Sequence, residues 1–168
     1  MRITGQFIDS WARRYPVEAD REILEVVGPR VVERCAFDRA DLLTVGRWKS
    51  VRSSGYLSRN TDTFIEQVTS TSLRAPDDIK HLVLTLLNGV GVPMASAMLT
   101  TCFPDRFTVI DIRALATLRA LGIIKPGVTP DYVNYVATCR SIADDTSRDL
   151  RTLDRALYSA NGRTDSRS

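Results

Sequence analysis

Apolar residues recur three and four positions apart along most of the chain, the period that gathers them on one face of an α-helix. No series of alternating apolar and polar positions separated by hairpin turns interrupts that pattern. The spacing predicts an all-α fold, with helices over about 5–15, 17–27, 29–36, 39–49, 61–74, 77–87, 93–102, 111–121, 130–143 and 147–160. Pro16, Pro29, Pro76 and Pro93 fall near proposed starts, where a missing backbone donor does least harm. Gly122 and the run Lys125-Pro126-Gly127 break the pattern before the last two helices. Tyr132, Tyr135, Leu150, Leu153 and Leu157 keep the helical period and read as core. With no internal repeat and no long linker, the expectation is one compact helical domain over 1–161 and a polar, flexible tail over 162–168.

Composition adds a mild electrostatic lean. The 168 residues are 43% hydrophobic, enough for a genuine core, and carry a net charge of +3. All of that excess lies in residues 1–60, with 11 basic and 8 acidic side chains; the remainder is balanced at 12 and 12. From Leu42 to Thr61 there is no acidic residue, while Arg47, Lys49, Arg52 and Arg59 alternate with Trp48, Tyr56, several serines and Asn60. Basic side chains there would neutralise phosphates, a ring would stack on an extruded base, and the Asn60 amide would suit a base edge. A solvated turn with Trp48 in the core is the competing reading.

Other chemistry is sparse. Cys35, Cys102 and Cys139 are odd in number and far apart, which argues against disulfides or a closed thiolate metal site. The single histidine, His81, lacks partners at ligand spacing and reads as a surface or helix-edge residue, and neighbouring Lys80 reads as a solvated surface residue. Asp144-Asp145 reads as a helix end. No apolar run approaches the roughly 20 residues of a membrane span, so a soluble, cytoplasmic protein with no metal or cofactor is expected.

The most informative stretch begins in the helix expected at 77–87. Ile79, Leu82, Val83 and Leu86 share its apolar face, which should pack on the following helix. It ends at Asn88-Gly89, and Gly89-Val90-Gly91 leads to a helix opening at Pro93. Glycines permit positive φ or close backbone approach, and Val90 can plug the angle between two helices. Amides of such a turn and of a helix N-terminus suit a phosphate oxygen. A plain corner with a glycine C-cap is the alternative.

The run Leu84-Thr85-Leu86-Leu87-Asn88-Gly89-Val90-Gly91-Val92-Pro93-Met94-Ala95-Ser96-Ala97-Met98-Leu99, followed by Phe107-Thr108-Val109-Ile110-Asp111, resembles the signature of the helix-hairpin-helix DNA glycosylase superfamily. The likeness covers about residues 78–121, with the hairpin motif at about 77–103 and the aspartate loop at 104–111. Pro93 precedes Asp111 by 18 residues, the interval that separates the hairpin's serine or lysine from the aspartate in the adenine-mismatch and endonuclease-III-like branches. The resemblance implies a two-lobed helical fold, a double-stranded DNA partner, and backbone contact through Asn88, Gly89, Val90, Gly91 and Pro93. It implies that Asp111 stabilises an oxocarbenium-like sugar or orients the attacking water. As a residue type, Asp111 serves equally as the N-cap of the next helix. Where lyase members have a hairpin lysine this chain has Pro93, and the four cysteines of the iron–sulfur branches are missing. The implied activity is therefore monofunctional base hydrolysis, with a non-catalytic DNA-binding module as the alternative.

Overall fold

The computed structural model describes residues 3–164, and among them every regular element is helical. In chain order these are α1 (Gly5–Ala12), α2 (Glu18–Glu22), a π turn (Ile23–Val27), α3 (Gly28–Arg34), α4 (Arg39–Lys49), a 3-10 turn (Val51–Ser53), α5 (Ser54–Leu57), α6 (Asp62–Arg74), α7 (Lys80–Leu84), α8 (Val92–Cys102), α9 (Ile112–Ala120), α10 (Tyr132–Thr146) and α11 (Leu150–Ala160). The chain divides into two compact units. Val17–Pro104 forms one, and Met1–Pro16 with Asp105–Ser168 forms the other.

In the central unit α8 is the core element. Residues Met94 to Cys102 are all buried, against α3, α4, α7 and the π turn. Gly28 sets how close α3 lies to it: a Cβ on Gly28 would stand 2.1 Å from the Thr101 carbonyl oxygen, so only glycine fits. The π turn just upstream accommodates Pro29, which has no N–H to give and would crowd the preceding turn of a regular α-helix. Asp41, fully buried on α4, accepts hydrogen bonds from Arg30 and Arg34, so its charge is matched by two guanidinium groups.

Two surface expectations are overturned here. Lys80 is 4% exposed, and its ammonium donates to the carbonyls of Leu73 (2.9 Å) and Ala75 where α6 ends, with Asp77 at 3.7 Å. The last carbonyls of a helix lack intrahelical partners and carry the negative end of its dipole, so they take up a cation that would otherwise need water. His81 is buried beside it, on the short helix that packs against α6. The helix expected over 77–87 also shrinks to one turn. Three-residue bonds at Ile79, Thr85, Leu86 and Leu87 replace its two ends, changing the angular phase along it. As a result Lys80, His81, Leu84 and Leu87 face inward, while Ile79, Leu82 and Leu86 are exposed, the opposite of the packed face expected from spacing.

In the other unit α11 packs on α1, α9 and α10. Thr4, Asp111, Asp131 and Asp149 each accept an amide hydrogen bond at the helix start they precede. Left-handed Ser147 ends α10 later than expected, leaving Asp144 and Asp145 exposed in its last turn. The first two residues of the tail expected over 162–168 make contacts with this unit. Gly162 donates to the Thr117 hydroxyl (2.9 Å) and the Arg163 guanidinium lies 5.1 Å from the Trp11 ring centre. Residues 165–168 of that tail lie outside the described residues.

Arg148 joins α11's approach to α1 through two 2.7 Å bonds to Asp9. Those hydrogen bonds hold the Asp9 carboxyl below its ordinary range. A folded-state value lower than the unfolded one means that the contribution is present above the ordinary carboxylate range, about pH 4, and is lost as pH falls through the folded value. Acid unfolding followed by circular dichroism should therefore begin at higher pH in Arg148→Gln than in the parent. Gly28→Ala should lower stability by about 1–3 kcal/mol through overpacking, read as an earlier urea midpoint; an unchanged midpoint would contradict the contact with Thr101.

Candidate nucleic-acid interface

The hairpin joins α7 to α8 within the central unit. Gly89 has φ +80, a left-handed conformation that disfavours any side chain, whereas Gly91 is extended and serves as the N-cap position of α8. Of the two glycines that frame Val90, one therefore answers to positive φ. Val90 is buried, as a plug between the helices would be. Asn88, Gly89, Gly91 and Pro93 are exposed, and the amides of Gly89 and Gly91 donate no backbone hydrogen bond among the described residues. Pro93 lies in the first turn of α8, where an N–H would have no helical acceptor. The turn thus presents backbone donors beside the positive end of an eleven-residue helix, an environment that favours an anionic oxygen.

The basic, aromatic segment lies against this turn. Asn60 is 2% exposed; its side-chain amide donates to the carbonyls of Asn88 (3.0 Å) and Leu57 (2.9 Å), and its oxygen accepts the Asn88 N–H (2.8 Å). A Cβ on Gly89 would stand 2.8 Å from Tyr56 Cβ, so the hairpin touches α5. The suggestion that Asn60 reads a base edge is corrected by these bonds: its amide is consumed in clamping the hairpin. Tyr56 is 57% exposed with the Arg59 guanidinium 4.9 Å from its ring centre. Arg47 and Arg52 are exposed, and Lys49 and Trp48 half-buried on or next to α4. Arg39, not singled out in the sequence, anchors the far end of the segment by donating to the carbonyls of Ser58 (3.0 Å) and Asn60 (2.5 Å) and to Asp62 (2.6 Å). Only the density of bonded backbone around Asn60 reveals its role, and sequence carries no trace of that.

Asp111 belongs to the other unit. It is half-buried at the N-cap of α9, where one carboxylate oxygen accepts the amides of Arg113 (2.9 Å) and Ala114 (2.8 Å). Two bonds to one oxygen fix the orientation of the group, leaving a carboxylate that can face a developing positive charge or receive a proton from water. Burial pushes the Cys102 and Cys139 thiols up to about 12, which disfavours nucleophilic chemistry by these two. The Lys80 ammonium, held by α6 carbonyls, supplies no free amine at the hairpin.

Asn60→Ala would strip the turn of its bonds at Asn88. The expected result is a loss of about 1–3 kcal/mol with faster amide exchange over residues 88–91 in hydrogen-exchange mass spectrometry; unaltered exchange there would contradict the clamp. In comparison with known proteins, no family model, no curated protein and no solved structure matches this chain.

Proposed function

We propose that this protein is a monofunctional DNA glycosylase of the helix-hairpin-helix type, acting on a damaged, mismatched or modified base flipped out of duplex DNA. The observation that carries the reading is the clamp between Asn60 and Asn88, which sets the hairpin amides beside the Tyr56–Arg59 pair. Backbone donors and guanidinium groups suit phosphates, and an exposed ring suits an unstacked base. The chemistry rests on Asp111, the residue that the sequence resemblance marks. Water adds to the sugar C1′ as the C1′–N bond breaks; the bonding pair leaves with the base, which takes up the proton that water releases. Asp111 offsets the positive charge that builds on the sugar or aligns the water. Pro93 in place of an amine, with Lys80 committed to α6, favours water over a Schiff base as the route.

A non-catalytic DNA-binding module is the second reading. The observation that favours it is the complete structural task Asp111 already performs as N-cap.

One set of measurements separates the two. Oligonucleotide duplexes carrying a panel of lesions and modified bases are incubated with the protein and treated with alkali to reveal abasic sites. Base release is expected on at least one of them, and Asp111→Asn, which keeps a capping oxygen, should abolish it with DNA affinity within a few fold. Retained release in that variant would refute the role of Asp111. No release from any duplex, alongside salt-sensitive binding, would favour the binding module.

A further inference from the structure

The stretch leading to Asp111 is held in an unusual way. Phe107, Thr108, Val109 and Ile110 are all buried, and buried backbone groups need partners. At Thr108 and Val109 these partners are side chains from two other helices. Tyr132 on α10 donates its hydroxyl to the Thr108 carbonyl (3.0 Å), and Tyr135, one turn on, donates to the Val109 carbonyl (3.0 Å). The Val109 N–H in turn donates to the Asp154 carboxylate on α11 (3.3 Å). Asp154 is itself buried and fixed by Arg151, whose other end donates to the Tyr15 hydroxyl (3.3 Å).

Resting on the reading of Asp111 as the catalytic carboxylate, we propose that Tyr132, Tyr135 and Asp154 are positioning residues that hold residues 108 and 109 and thereby set where the Asp111 carboxylate stands. The N-cap bonds orient the Asp111 carboxylate relative to α9; the side-chain bonds at 108 and 109 tie the main chain just before it to α10 and α11. Burial keeps both phenols well above their ordinary range, so they remain hydrogen-bond donors at any working pH. Burial also raises the Asp154 carboxyl, against the Arg151 charge. Packing alone would need only rings at 132 and 135. Hydroxyls aimed at consecutive carbonyls three and two residues before Asp111 serve geometry.

The test needs no knowledge of the excised base. A duplex with a cationic pyrrolidine at an abasic position mimics the charge of the oxocarbenium sugar, and a duplex with neutral tetrahydrofuran there does not. Affinities for both are measured by fluorescence anisotropy at one salt concentration. The parent protein should prefer the cationic duplex and Asp111→Asn should lose that preference. Tyr132→Phe, Tyr135→Phe and their double variant should reduce it by about tenfold or more, as sub-ångström misplacement does, with affinity for the neutral duplex within about twofold of the parent. Asp154→Asn should behave likewise; if it fails to fold, the phenylalanine variants decide. A purely structural role would lower the melting temperature and leave the preference intact. That outcome, with the preference lost in Asp111→Asn, overturns the positioning role and spares the catalytic one. No preference in the parent protein overturns both.

Discussion

Enclosing α8 is the constraint on which the central unit depends. A helix buried over nine consecutive residues has no polar side to turn outward, so its neighbours must come close and two of its three hydroxyls turn back to its own carbonyls, the Thr100 hydroxyl having no partner among the described residues. Ser96 and Thr101 bond back to carbonyls of their own helix, at Pro93 (2.7 Å) and Ala97 (2.8 Å). Gly28 lets a second backbone into contact, and the π turn before it takes up the proline that this approach brings along. Because the body of α8 is sealed, only its first turn meets solvent. The hairpin is the point at which the most buried helix of the unit reaches the surface.

That emergence explains why the turn is braced. Exposed glycines would leave a loose corner, yet its carbonyl and amide at residue 88 are tied to a buried asparagine 28 residues earlier. Bracing lowers the entropy lost when a turn binds an anion, since the donors are already arranged. The same bonds make the segment that carries Tyr56 and Arg59 a neighbour of the hairpin, so two features that are separate in sequence act as one surface.

Much of this was legible in the residues. The helical period predicts the all-helical chain; the hairpin glycines read as sites of positive φ or close approach, and Gly89 takes the positive φ; Val90 reads as the plug and is buried; and the N-cap task of Asp111 is the alternative its residue type offers. What failed did so for identifiable reasons. One turn of helix flanked by 3-10 bonds is too short for periodicity to fix its phase, so the buried face of α7 was assigned to the wrong side. Polarity misled at Lys80, His81 and Asn60; Lys80 and Asn60 are satisfied inside by main-chain atoms, whose position no side-chain pattern records. Tyr132 and Tyr135 were recognisable as core, but their hydroxyls answer to carbonyls 24 and 26 residues away, and only the folded chain brings those together.

The discontinuity of the second unit has a bearing on how the chain folds as it is made. The central unit is one uninterrupted stretch, and its contacts are available soon after Pro104 has been synthesised. Helix α1 must wait for α11, its main packing partner, and the Asp9–Arg148 pair closes a separation of 139 residues. Loop-closure entropy grows only slowly with length, so the delay costs time more than stability. During that interval Phe7, Ile8 and Trp11, all buried in the finished protein, are without their cover, and transiently exposed apolar surface of this kind makes a partly folded chain prone to aggregate.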